Sequence, residues 1–237
     1  VEVTMFDDIL QIYSLFEKHG AEAPWLETLR LSDLLTRGAL RTLDFSILEE
    51  QGVRLSEIVE RRKEGVPLER IVGKSAFMGL LFFCTPDVLS PRQETELLAR
   101  TALSFIAESE ADLTVVDVGT GCGNIAVSLA AHSDNTTILA TDISPEAIEV
   151  ARRNVALYNL ERRIELFCGD LFSPLLGTGY QGEVDMVVCN PPYIPTSSLD
   201  KLPPEILDYE PTIALDAGPY GISFFRRLIA DSLSILK

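Results

Sequence analysis

Val115-Val116-Asp117-Val118-Gly119-Thr120-Gly121-Cys122-Gly123-Asn124 runs from a strand-like apolar segment straight into a turn built from glycines. Glycine supplies the backbone freedom of a tight turn and lets a ligand approach the main chain closely. A helix over 124–131 follows, so the stretch reads strand, turn, helix. The same alternation recurs downstream. A second strand over 137–142 ends at Asp142, Pro145 opens a helix through Ala151 and Val155, and further strands cover 164–168 and 184–189. Pro suits the first turn of a helix, where its missing N–H costs little. Such alternation predicts an α/β, Rossmann-like, doubly wound parallel sheet with ligands at the carboxyl ends of its strands. A last helix over 222–236 comes where another strand is expected. The fourth strand is therefore expected as an open edge, in a sheet whose C-terminal strands are missing.

Upstream, residues 5–71 read as helical throughout. Ile9, Ile12 and Phe16, then Leu31, Leu34 and Leu35, then Ile58 and Val59 fall at helical spacing, and Gly20, Pro24, Gly38, Gly52 and Gly65 punctuate the run. This predicts a small helical domain over 1–72. Over 73–92, the apolar Phe77–Phe83 and Val88-Leu89 are broken by Thr85-Pro86-Asp87, which predicts a β-hairpin linker. The main domain then spans 93–237.

The chain has 237 residues, 46% hydrophobic and 24% charged, an ordinary globular composition. Its formal charge of −16 repels phosphate backbones and disfavours nucleic-acid binding. Arg61-Arg62-Lys63 and Arg152-Arg153 read as solvated helix faces. No apolar run is long enough to span a bilayer. The four cysteines form no CxxC pair and read as free buried thiols in a reducing cytosol, and with two histidines no His-rich metal site is expected. A cytoplasmic, metal-free monomer is the expectation.

Gly119, Thr120, Gly121, Cys122 and Gly123 are the candidate cofactor turn. Gly121 to Ala126 also fits the GxGxxA dinucleotide fingerprint, so the turn alone does not choose the cofactor. Asp142 is placed to accept from two ribose hydroxyls, a role common to either cofactor. Asp170 is placed to accept from an adenine amino group, with Leu171 covering the ring. The balance shifts at Asn190-Pro191-Pro192-Tyr193, after the fourth strand. Asn190 Oδ1 and the Pro191 carbonyl can each accept one hydrogen of an NH₂ group, with Tyr193 against its flat face. A nucleoside cofactor beside a cradle for a planar nitrogen reads as an S-adenosylmethionine-dependent methyltransferase acting on nitrogen, with S-adenosylhomocysteine as product. Three other readings compete. An adenine or cytosine amino methyltransferase of nucleic acids is opposed by the acidic balance. A nicotinamide oxidoreductase leaves Asn190–Tyr193 without a task, and a non-catalytic binding protein remains.

The order of motifs resembles the HemK-type glutamine methyltransferases of peptide-chain release factors. It comprises Val88-Leu89-Ser90-Pro91-Arg92-Gln93-Glu94-Thr95-Glu96, the Asp-Val-Gly-Thr-Gly turn, Asn-Pro-Pro-Tyr, Tyr209-Glu210-Pro211, Ala214-Leu215-Asp216, Gly221 and Phe225-Arg226-Arg227. The resemblance implies that Gly119 to Gly123, Asp142, Leu171 and Asn190 line the cofactor site. It also implies that Asn190, Pro191, Pro192 and Tyr193 receive the substrate glutamine, and that the helical domain helps dock the release factor. Gln93 stands where the family usually has a second proline, and the family's catalytic domain continues for several strands beyond Lys237.

Overall fold

The computed structural model describes residues 2–21, 23–37, 42–43 and 54–237. The chain divides into two compact units, Val1–Ala76 and Phe77–Lys237.

The first unit contains helices α1 (Glu2–Lys18), α2 (Pro24–Leu35), α3 (Leu55–Lys63) and α4 (Leu68–Val72). Ile12, Phe16, Leu31, Leu34, Leu35, Ile58, Val59 and Ile71 are buried, as their helical spacing requires. The Arg62 guanidinium ties α3 to α2 with two parallel bonds to Glu27, each 2.8 Å. The helical reading of 5–71 fails at β1 (Thr36–Arg37) and β2 (Thr42–Leu43), an antiparallel pair with Thr36 opposite Leu43. Two strands of two residues carry too little periodicity to register. Gly38 and Gly52 lie outside the described residues.

Strands β3 (Lys74–Phe77) and β4 (Leu80–Phe83) form the hairpin. Its turn is Met78-Gly79, with φ of 52° and 75°, and not Thr85-Pro86-Asp87. Two successive positive φ angles match the right-handed twist of the flanking strands, whatever the composition further on.

The second unit is a four-stranded, all-parallel sheet in the order β7-β6-β5-β8, made of β5 (Leu113–Val118), β6 (Thr136–Asp142), β7 (Ile164–Cys168) and β8 (Met186–Cys189). Helices α5 (Thr95–Ala107), α6 (Asn124–Ala131) and α7 (Pro145–Leu157) connect it, and α8 (Pro204–Leu207) and α9 (Ser223–Ser232) follow. Both faces of the sheet are covered. Val115, Ile138, Ala140 and Val188 share one core with Ala102, Ile106 and Leu129, whereas Val116, Val118 and Leu139 pack with Leu171, Phe172 and Ile235. Alternate residues of one strand thus enter opposite cores, which explains the continuous apolar runs. As expected from the sequence, β8 lies at the edge. Its ladder with β5 begins at Met186, since Thr114 N–H donates to the Asp185 side-chain Oδ2 at 2.9 Å. Just before it, Gly182 and Val184 donate their N–H groups to Ile235 O, with an isolated parallel bridge between Val184 and Leu236. Among the described residues no helix is long and apolar enough to cross a membrane.

The free edge of β4 is satisfied by side chains of α7. Phe83 N–H donates to Asn154 Oδ1 (2.8 Å) and Asn154 Nδ2 returns a bond to Phe83 O (3.1 Å). Leu81 N–H donates to the Tyr158 hydroxyl (2.7 Å), which donates to Leu81 O (2.8 Å). Four helical residues rise about 6 Å and two strand residues about 6.6 Å, so the two spacings nearly match. Asn154 Nδ2 also donates to Cys122 O at 2.8 Å, fastening the glycine turn. Tyr158→Phe leaves Leu81 N–H and C=O without their partner in a half-buried place. The variant should lose about 1–2 kcal/mol, read as a lower urea midpoint at unchanged slope.

Candidate functional site

At the carboxyl edge of the sheet, Gly119, Gly121 and Gly123 adopt φ of 69°, 56° and 81°, a left-handed run that only glycine accepts without strain. The turn is stitched to the end of β6. Gly119 N–H (2.8 Å) and Thr120 N–H (3.0 Å) donate to Thr141 O, and Gly121 N–H donates to Asp142 Oδ2 (2.8 Å). A Cβ placed on Gly119 or Gly121 would meet nothing, whereas one on Gly123 would lie 3.3 Å from Ala151 Cβ. Two of the glycines therefore face open space, and the third lets α6 approach α7.

That open space is a cavity of about 280 Å³. Gly119, Thr120, Gly121, Asp142, Asp170, Leu171, Asn190 and Pro192 all line it. Cys122 and Gly123 do not. Cys122 is buried with Cys84, Val88, Ala147 and Val150, and burial pushes its thiol well above the ordinary range. All four cysteines are free, but only Cys84 and Cys122 are buried, Cys189 is half-buried and Cys168 exposed.

Asp142 accepts from Gly121 N–H and, at 3.0 Å, from Ser144 N–H, one on each oxygen, leaving lone pairs for a ligand. Burial raises its pKa, and the backbone N–H groups of Ser144, Gly121 and Ile143 restrain the rise. Ser144 also caps α7, accepting from Ala147 N–H at 3.1 Å ahead of Pro145. Asp170 is half engaged: the Arg227 guanidinium donates to its Oδ2 at 2.5 Å, and Arg227 also lines the cavity. Ile143, 54% exposed, and Leu171 supply apolar wall, and Leu171 holds a left-handed φ of 50°. A bulky residue in that region marks strain that the surroundings must maintain.

The sequence reading passed over Asp117, although a carboxylate amid valines is itself a signal. It is fully buried, its Oδ2 accepting from the Thr120 hydroxyl (2.7 Å) and Ala126 N–H (3.1 Å). Asp117 Oδ1 has no partner among the described residues. Burial pushes its pKa up to about 6, against the bonds from Thr120 and Ala126, with nearby Asp142 adding to the rise. The native state thus takes up this proton at higher pH than the unfolded chain, so between about pH 6 and 4 Asp117 makes stability rise as pH falls. Asp117→Asn removes the charge. It should gain about 2 kcal/mol over the natural protein at pH 7.5, a difference that shrinks toward zero near pH 4 in paired denaturation curves.

A second cleft opens on the other side of Asn190. Pro191, Tyr193, Ile194, Leu89, Leu98, Ile206 and Leu215 form most of its walls, and it shares Leu89, Arg92, Thr95, Asn190 and Ala214 with the first. The double proline divides the motif: Pro192 faces the first cleft, Pro191 and Tyr193 the second. Tyr193 is 65% exposed at the rim. Asn190 Nδ2 donates to the Thr95 hydroxyl at 3.3 Å.

The segment after Tyr193 folds back as a wall of both clefts. Ile194 N–H donates to Leu215 O (3.1 Å) and Ala217 N–H to Ile194 O (2.9 Å). Gly221 sits so close that an added Cβ would lie 3.0 Å from Tyr193 O. The buried Glu210 anchors this wall, accepting from Ser90 N–H (3.1 Å) and from Arg92 Nη2 (2.9 Å). Thr95, Glu210 and Arg227 stand in the motifs of the family resemblance, which assign them no role, and Ile143 gives no signal in local spacing.

A methyltransferase small domain family model matches residues 93–202. A release factor glutamine methyltransferase of Moorella thermoacetica is 38% identical over 222 residues, covering 92% of this chain and 76% of the relative. One from Geobacter sulfurreducens is 38% identical, covering 90% and 72%. One from Bacillus subtilis is 35% identical, covering 99% and 82%. With its parallel sheet, glycine turn and Asn-Pro-Pro-Tyr edge, the chain belongs to the release factor glutamine methyltransferase family.

Proposed function

We propose that this protein transfers the methyl group of S-adenosylmethionine to the side-chain amide nitrogen of a glutamine in a peptide-chain release factor. The observation that carries this reading is the meeting of two clefts at Asn190, one walled by the glycine turn and Asp142, the other by Pro191 and Tyr193.

The first cleft fits the cofactor. Gly119 and Gly121 leave room that a Cβ would fill, Asp142 offers free lone pairs for ribose hydroxyls, and Ile143 and Leu171 offer an apolar slot for the base. Asp170 keeps one oxygen free of Arg227 for an adenine amino group. When bound, the cofactor supplies an electrophilic methyl group on a sulfonium. An amide nitrogen is a poor nucleophile because its lone pair is delocalised into the carbonyl. Asn190 Oδ1 and the Pro191 carbonyl accept its two hydrogens, draw electron density onto nitrogen and hold it in line. The nitrogen takes the methyl as the sulfonium's S–C bond breaks, which leaves S-adenosylhomocysteine, and then sheds one proton to solvent. Proximity and orientation then supply much of the acceleration, with effective molarities of up to ~10⁵–10⁸ M attainable in favourable cases. Residues 1–72 serve as a docking part for the release factor, and the site of action is the cytoplasm.

The test is methyl transfer from labelled S-adenosylmethionine to a purified release factor, beside a version whose target glutamine is replaced. Label on the natural factor alone supports the reading. Label on both, or on nucleic acid instead, removes it.

A further inference from the structure

Asn190 serves as a double acceptor only if its amide presents oxygen, rather than NH₂, to the point where the clefts meet. A half-turn about its last side-chain bond would exchange the two and set a donor against the donor groups of a substrate amide. That bond is soft, so something must hold the plane. Among the described residues, the only hydrogen bond of the Asn190 side chain comes from outside its own loop: Nδ2 donates to Thr95 Oγ1 at 3.3 Å.

Thr95 is well built to hold it. It opens α5, its own N–H is taken by Arg92 O at 3.0 Å, and its side chain is buried at 8% exposure. Its branched Cβ stiffens χ1. It also lines both clefts, at the same junction as Asn190. With the NH₂ engaged by Thr95, the oxygen is the atom left to face the substrate.

We propose that Thr95 is a positioning residue that orients the Asn190 amide for the acceptor glutamine. The inference rests on the function proposed above. It adds a residue that needs no contact with the reacting atoms and acts through one that has it.

Thr95→Val keeps the branched shape and deletes the hydroxyl, and Thr95→Ser keeps the hydroxyl. Thr95→Val should lower kcat about 10-fold, the effect of one lost hydrogen bond, with the Kd for S-adenosylmethionine and the Tm little changed. Thr95→Ser should recover most of that loss. A merely structural role would instead lower Tm and cofactor affinity together. Three results overturn the proposal: Thr95→Val with unaltered kcat, Thr95→Ser as impaired as Thr95→Val, or a loss explained by cofactor binding. A crystal structure of Thr95→Val gives a readout free of activity. Its Asn190 side chain should turn or take more than one orientation, and an Asn190 unchanged from the natural protein overturns the proposal as well. If the natural protein transfers no methyl group to glutamine, the substrate reading falls, and that structure still decides whether Thr95 holds Asn190.

Discussion

Replacing Asn190 by alanine is expected to slow methyl transfer to a release factor by about 10²–10³-fold, the range found when one preorganised polar group is removed from an active site. The backbone of the cradle survives, because Pro191 and Pro192 set it and the bond between Ile194 N–H and Leu215 O holds the next residue. The cofactor cleft keeps its glycine turn and Asp142, so the Kd for S-adenosylmethionine, read by calorimetry, should change by no more than about threefold. The loss then lies in kcat, as it must for a group that acts on the reacting nitrogen. A variant with full turnover would remove the cradle from the mechanism. A variant that no longer binds the cofactor would make Asn190 a wall of the first cleft only.

Glu210→Ala should be the most damaging single change to the frame around the site. Its carboxylate is buried and takes one bond from Ser90 N–H and another from Arg92. Truncation strands the Ser90 donor and leaves Arg92 without its counter-ion beside both clefts. Removing one partner of a buried pair costs about 3–5 kcal/mol, and the half-exposed Arg92 places this case near the lower end, at about 3 kcal/mol. For a chain of this size that corresponds to a Tm lower by roughly 6–12 °C in a calorimetric scan. Binding in both clefts should weaken together, because Ile213, Ala214 and Asp216 border the first and Ile206, Ala214 and Leu215 the second. Unchanged Tm with normal activity would show that the backbone bonds of the segment suffice without the anchor.

The parts of the molecule that were legible in the sequence are those written locally. The glycine turn after β5 was read in place and α6 with its observed bounds, because an apolar run meeting glycines leaves few alternatives. The hairpin turn was misplaced because Thr-Pro-Asp has stronger turn composition than Met78-Gly79, yet the backbone reverses where two positive φ angles fit the strand twist. The short β1–β2 pair was lost inside a helical pattern. At the site, the strand-end residues Gly119, Asp142, Asp170, Leu171 and Asn190 were all readable, and all line one cavity. Their partners stand in the motifs of the family resemblance, but the pairings themselves were not readable. Thr95 stands 95 residues from Asn190, Ser90 lies 120 from Glu210, and Arg227 lies 57 from Asp170. Contacts across such separations leave no periodicity, only the product of folding. Cys122 and Gly123 show the converse: adjacency in a motif does not give adjacency to the cavity, since Cys122 turns into the core beside Cys84 and Val88 and Gly123 packs against Ala151.

The pairing of Asn154 and Tyr158 with the edge of β4 also bears on how this sequence can change over time. Substitutions along the exposed side of α7 alter nothing in that arrangement, but a single inserted or deleted residue between positions 154 and 158 would swing one side chain by about 100° away from the strand. Drift in composition is therefore tolerated there, and drift in length is not. The same two side chains close a strand edge that would otherwise be a template for a strand of another molecule. One residue count thus guards both inheritance and solubility.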